Sequence, residues 1–143
     1  MTDLSGQTFN FQLVSPDKVL VSEHAWQVTI PGEEGYFGVR AGHMSLIAAV
    51  RPGVVEVVKK EGAAPEKIFI AGGFADVTAT QCTLLAEQAV NVNEIDAAKV
   101  QQELANTKED LGMATEMADK IRINKKIELL SLKLLAVQTK DAA

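Results

Sequence analysis

Every proline (Pro16, Pro31, Pro52, Pro65) and every aromatic residue (Phe9, Phe11, Trp26, Tyr36, Phe37, Phe69, Phe74) of this 143-residue chain lies before residue 90. Nine of the ten glycines lie there too, Gly112 being the exception. Proline, glycine and aromatics at close intervals mark short strands and tight turns. The remainder is dominated by Ala, Leu, Lys, Glu and Gln, which favour helix. The chain therefore divides into a strand-built part, residues 1–90, and a helical part, residues 91–143.

The first part repeats the period-two pattern of half-buried strands. Phe9, Phe11 and Leu13 alternate with Thr8, Asn10 and Gln12, and Ser15-Pro16-Asp17 supplies a turn. Trp26, Val28 and Ile30 alternate with Gln27 and Thr29, then stop at Pro31-Gly32. Further strands are expected over 54–58, around Phe69 and over 83–86. Turn signals every eight to twelve residues, with no helix-length segment between, predict short antiparallel strands in a sandwich or barrel. In the second part Asn93 is the expected N-cap, with Glu94 and Asp96 complementing the helix dipole. Ala97, Val100, Leu104, Thr107 and Leu111 form one apolar stripe, and Gly112 is the expected break. Met113, Met117, Ile121, Ile127, Leu130, Leu134 and Val137 form the next, with Glu116–Lys120 as an i, i+4 ion pair. Two antiparallel helices are the simplest reading, and one long helix interrupted at Gly112 is the alternative.

The inventory of reactive groups excludes most chemistry. His24 and His43 are the only histidines, and neither lies in a triad motif. One cysteine, Cys82, rules out an internal disulfide or a multi-cysteine metal site, and on a strand it reads as a small buried hydrophobe. A net charge of −5 argues against nucleic acid as a partner. No run of 18 or more uncharged apolar residues offers a direct membrane insertion, and the first seven residues lack the pattern of a signal or transit peptide. Ala71-Gly72-Gly73-Phe74 lacks the Lys and Ser/Thr of a phosphate loop and reads as a β-turn or bulge. Glu33-Glu34 reads as a hairpin tip, with Tyr36 favouring a partner contact. No metal site, cofactor site or catalytic residue is expected.

Five collinear motifs carry a resemblance. They are Phe11-Gln12-Leu13-Val14-Ser15-Pro16; the run Pro31-Gly32-Glu33-Glu34-Gly35-Tyr36-Phe37-Gly38-Val39; Gly42-His43-Met44-Ser45-Leu46; Arg51-Pro52-Gly53; and Ala71-Gly72-Gly73-Phe74-Ala75-Asp76-Val77. Together they resemble the epsilon subunit family of rotary F-type ATP synthases, bacterial type. That resemblance implies a ten-stranded sandwich bound to the central-stalk gamma subunit and seated on the membrane c-ring. The implied role is a non-catalytic rotor part that couples c-ring rotation to ATP synthesis at the cytoplasmic face of the bacterial membrane. The implied c-ring contacts are Glu33, Glu34, Tyr36, Arg40, His43 and Met44. In family members the helical hairpin can also extend into the catalytic head and restrain ATP hydrolysis. Lys120, Arg122, Lys125 and Lys126 would then approach acidic segments of the alpha/beta subunits.

Two departures qualify the match: Ser45 replaces the family's usual proline, and Lys99 replaces the arginine of the nucleotide-sensing motif that opens the first helix. Lysine cannot reproduce the arginine fork. Asp96 and Lys99 thus form a degenerate nucleotide site, expected to bind ATP weakly or not at all. A competing reading is a free-standing sugar- or peptide-binding sandwich with a dimerising hairpin, for which exposed aromatics on one face would be the signature. The aromatics are expected mainly at core-like positions. A small hydrolase is a third reading, for which catalytic residues are missing.

Overall fold

The computed structural model describes residues 7–138. Ten strands come first: β1 (Phe9–Val14), β2 (Val19–Ala25), β3 (Gln27–Gly32), β4 (Gly35–Arg40), β5 (Leu46–Val50), β6 (Gly53–Val58), β7 (Glu66–Ile70), β8 (Gly73–Val77), β9 (Gln81–Ala86) and β10 (Ala89–Asn91). A 3-10 turn (Val92–Glu94) and two helices follow, α1 (Ala97–Met113) and α2 (Met117–Gln138). The chain forms two compact units that divide between Asn91 and Val92, because Asn91 still belongs to the β10–β7 ladder.

The strands hydrogen-bond in the order β10-β7-β6-β3-β5-β8-β9-β1-β2, with β4 added to β3. One continuous ladder folds over into two layers, and β3 hands over to β5 through the single pair Gly32–Val50. All pairings are antiparallel except β1 with β9, which run parallel. The expectation of purely antiparallel strands fails there because β1 and β9 stand far apart in sequence, so a long connection is available.

Inward-facing residues of both layers meet in one core that includes Phe11, Leu13, Val28, Ile30, Val57, Ile70, Val77 and Leu84. The expected alternation holds in β1, where Phe9, Phe11 and Leu13 are all buried. Cys82 is fully buried in the same core, and its thiol is pushed up from the ordinary 9.0 to about 12 by burial and then by the charge of Asp76. The glycine pair after β7 makes the expected turn. Gly72 has φ 107, and a Cβ on Gly73 would run into the Leu85 carbonyl oxygen.

The helical unit departs from the sequence reading at its ends. Asp96, not Asn93, is the N-cap of α1, and its Oδ1 accepts the N–H groups of Ala98 at 3.0 Å and Lys99 at 3.3 Å. Asn93 is taken into the 3-10 turn, so the helix starts later. Gly112 does not end α1 but lies in its last turn, and the chain leaves through extended Ala114 (φ −71, ψ 134). Two separate helices therefore form, and the single long helix is excluded. In α1 Val100 and Thr107 are buried as the stripe requires, and the Thr107 hydroxyl donates to the Glu103 carbonyl at 2.7 Å. In α2 the stripe is shifted: Ile123, Leu130 and Ala136 are buried, whereas Ile121 is exposed. Glu116 stands before α2, and Lys120 reaches it only through the backbone, N to O at 3.0 Å, so the expected side-chain pair is not formed.

Gly73→Ala should cost at least about 3 kcal/mol, since a buried backbone must move. Gly62→Ala, at φ 82 with open space around it, should cost only about 1 kcal/mol. Urea unfolding of the two variants separates these outcomes. Cys82 gives a second test. Both folded and unfolded thiols are neutral below pH 9.0, and between 9.0 and about 12 only the unfolded one ionises, so stability falls as pH rises through that window. Wild type should lose more stability across that window than Cys82→Ala, and disulfide reagents should label the native thiol at pH 8 only at the unfolding rate.

Candidate functional site

Among the described residues no group of three or more His, Cys, Asp or Glu side chains could hold a metal ion. No helix among them is long and apolar enough to cross a membrane. What the sandwich offers is surface, and it offers three kinds.

The first is the β3–β4 hairpin tip. Glu33 and Glu34 form an exposed two-residue turn, and the Glu33 N–H donates to the Ala49 carbonyl at 3.1 Å. Tyr36 is 58% exposed, and the Arg51 guanidinium sits 4.8 Å from its ring centroid. The Arg51 Nε–H donates to the Gly32 carbonyl at 3.2 Å. Between the tip and β5 runs an open groove of about 530 Å³, with Tyr36, Phe37 and Ile47 in its walls.

The second is the turn after β4. His43 N–H donates to the Arg40 carbonyl at 3.1 Å, and Gly42 N–H to that of Ala79 at 2.8 Å. The His43 ring contacts the Met44 carbonyl at 2.7 Å, which requires the proton on Nδ1 because a carbonyl only accepts. Arg40 packs 4.1 Å over the Trp26 ring, and Met44 is 81% exposed. Glu33, Glu34 and Tyr36 thus gather at one end of β4, and Arg40, His43 and Met44 at the other. The ends of this six-residue strand are about 16 Å apart.

The third surface was not anticipated from the sequence. Ala49, Phe74, Leu85, Val14 and Val19 are successive cross-strand partners over β5, β8, β9, β1 and β2. Directly opposed residues share a face, and a register shift between Leu13 and Val14 brings Val19 opposite Val14, so these five form one apolar row. Phe74 is 58% exposed, Leu85 45% and Val19 56%. Ile47, two residues before Ala49 and therefore on the same face, is exposed as well. The expectation that aromatics sit mainly at core-like positions fails at Tyr36 and Phe74. In β8 the small Ala75 and Val77 face inward, which turns Phe74 and Asp76 outward. Two signals were available. Phe74 shares its strand face with Asp76, and in the adjacent pair Leu84-Leu85 one leucine must point out.

In the helical unit Lys120, Arg122, Lys125 and Lys126 are all exposed. At 3.6 residues per turn, Arg122, Lys125 and Lys126 fall within an arc of about 100°, while Lys120 lies well outside it. Arg122 pairs with Asp119 at 3.5 Å and Lys126 with Glu103 of α1 at 3.6 Å. The Asp96 carboxylate is engaged in capping α1, beside the exposed Lys99.

Residues 8–92 match the family model of the ATP synthase delta/epsilon chain β-sandwich domain. The chain is 36% identical over 137 residues to the ATP synthase epsilon chain of Rhodospirillum centenum, covering 93% of this chain and 94% of that one. It is 44% identical over 110 residues to the ATP synthase epsilon chain of Sinorhizobium medicae, covering 77% and 81%. In structure it is similar to a chain of the Euglena gracilis mitochondrial ATP synthase OSCP/F1/c-ring assembly, with TM-score 0.78, 26% identity, and 91% and 81% of the two chains covered. A chain of the Tetrahymena thermophila mitochondrial ATP synthase central stalk/c-ring shares the fold at TM-score 0.65 and 14% identity, over 92% of this chain and 97% of that one. Sequence, fold and collinear motifs agree: this chain belongs to the ATP synthase delta/epsilon family, as an epsilon chain.

Proposed function

We propose that this chain is a non-catalytic rotor subunit of the central stalk, coupling c-ring rotation to ATP synthesis at the cytoplasmic face of a bacterial membrane. The observation that carries the reading is the row Ala49–Phe74–Leu85–Val14–Val19. A rotor part must transmit torque between two neighbours and needs one contact that does not let go during turnover. Lasting interfaces are rich in apolar area, and a continuous apolar row on one sheet face suits docking to the gamma subunit. The polar, acidic hairpin tip with Tyr36, and the turn bearing Arg40, His43 and Met44, suit the c-ring. The second contact thus rests on polar ends of strands, where the first rests on a sheet face.

The helical unit serves as the regulatory element in this reading. Most helical stability in proteins comes from tertiary packing, so the position of these helices of 17 and 22 residues depends on what they dock against. Exposed Met113 and Met117 are adaptable surface for a second docking site. Arg122, Lys125 and Lys126 form the basic arc offered to the alpha/beta subunits, with Lys120 outside it. Asp96, committed to capping α1, and Lys99 make a poor nucleotide site, in keeping with weak or absent ATP binding.

Phe74→Glu should leave the sandwich folded, because the side chain is outward, yet weaken binding to the gamma-containing catalytic complex about 30-fold or more. Unchanged affinity in a fluorescence titration would remove the row from the interface. The hairpin is tested by ATP hydrolysis of the cognate complex with the full chain and with a truncation after Asn91, which keeps β10 whole. Full-length protein should suppress hydrolysis, and the truncation should bind without suppressing it. Equal rates with both would move regulation elsewhere.

A further inference from the structure

Besides the Glu33–Ala49 backbone hydrogen bond, one side chain from a distant part of the sequence holds the hairpin tip. Arg51 lies in the two-residue link between β5 and β6 and grips both arms of the tip. Its main-chain N–H donates to the Pro31 carbonyl at 2.9 Å, and its Nε–H to the Gly32 carbonyl at 3.2 Å. Its guanidinium covers the Tyr36 ring, 4.8 Å from the centroid. The backbone beneath is equally close, since a Cβ on Gly53 would lie 3.2 Å from Pro31 Cβ and 3.7 Å from the Tyr36 hydroxyl. Pro31 is fully buried, whereas the turn it leads into is exposed. A two-residue turn at an exposed strand end is ordinarily among the most mobile parts of a domain. Here the Gly32 carbonyl and the Tyr36 ring, which bracket that turn, are fixed by a single planar group.

We infer that Arg51 is a positioning residue for the tip, presenting Tyr36 and the Glu33–Glu34 turn in the geometry that engages the c-ring. The inference rests on the reading of the tip as a ring contact. Arg51 acts through Tyr36 and the Gly32 carbonyl, and it sets how rigid the tip is before contact. Preorganisation of this kind reduces the ordering that binding must otherwise supply. Lysine cannot substitute. It retains the charge and the main-chain hydrogen bond to Pro31, but it lacks an Nε–H in the chain and the flat face that stacks on tyrosine.

The test uses the full chain and its Arg51→Lys, Tyr36→Ala and doubly substituted variants. Two quantities are read: amide exchange at Glu33 and Glu34, and affinity for the detergent-solubilised c-ring of the cognate enzyme. Arg51→Lys should speed tip exchange roughly tenfold, the combined size of one hydrogen bond and one exposed cation–π contact, while exchange at core amides such as that of Leu84 stays unchanged. Ring affinity should fall roughly five- to tenfold in Arg51→Lys. The double variant should be weaker than Tyr36→Ala alone by clearly less than the full Arg51→Lys loss, since the part of that loss carried by the Tyr36 ring is already gone and only the Gly32 hydrogen bond remains to be lost. Unaltered tip exchange in Arg51→Lys would overturn the clamp itself. If Tyr36→Ala weakens ring binding and Arg51→Lys does not, or if the two losses add, the positioning role is wrong although the tip remains the ring contact. If Tyr36→Ala leaves ring affinity unchanged, the ring reading of the tip fails and the inference falls with it.

Discussion

Alternation along the pleat is the constraint on which the sandwich and its surfaces depend. Each strand presents every second residue to one shared core, and the other residues are then obliged to face out. Once Leu13, Leu84 and Ala75 are inside, Val14, Leu85 and Phe74 are outside. Register does the rest. Because these residues oppose one another across successive ladders, what would be scattered apolar positions becomes a continuous row. A slip of one residue in a strand would bury its share of the row and expose core residues instead, so core packing defends the surface as well as the interior.

The tip shows a different physics. It has no core to hold it, and its geometry comes from directional contacts: the Arg51 hydrogen bonds, the cation–π stack on Tyr36 and the Glu33 amide bonded to Ala49. Directional contacts fix orientation over a small area, whereas an apolar face supplies area with little orientation. The fold places the two kinds on separate regions of one small domain.

Among the described residues, the helical unit has fewer fully buried side chains than the sandwich. Its inter-helix ion pair, Lys126 with Glu103, joins two side chains that are about half exposed, and such pairs are worth little. Several of its large apolar side chains face outward, among them Met113, Met117, Ile121 and Leu135. The sandwich, in contrast, is locked by interdigitated core residues.

How much was legible in the sequence follows from the range of the forces involved. Strand and helix content, the two-part division, the core of β1 and the stripe of α1 were determined locally, by turn residues, propensity and periodicity. Helix ends lie a few residues from where local signals put them, because Asn93 and Asp96 are both good caps and the tertiary course of the chain selects Asp96. The parallel β1–β9 pair, the outward turn of Phe74 and the choice of Ile123 over Ile121 required knowing which face meets the core. Alternation gives two faces but not which is inside. The Arg51 clamp joins residues that are 19 positions apart, a contact that no local pattern encodes. Local pattern and motif order carry the elements and the family, whereas the set of side chains that share a surface emerges from the fold, because a surface is assembled by long-range register.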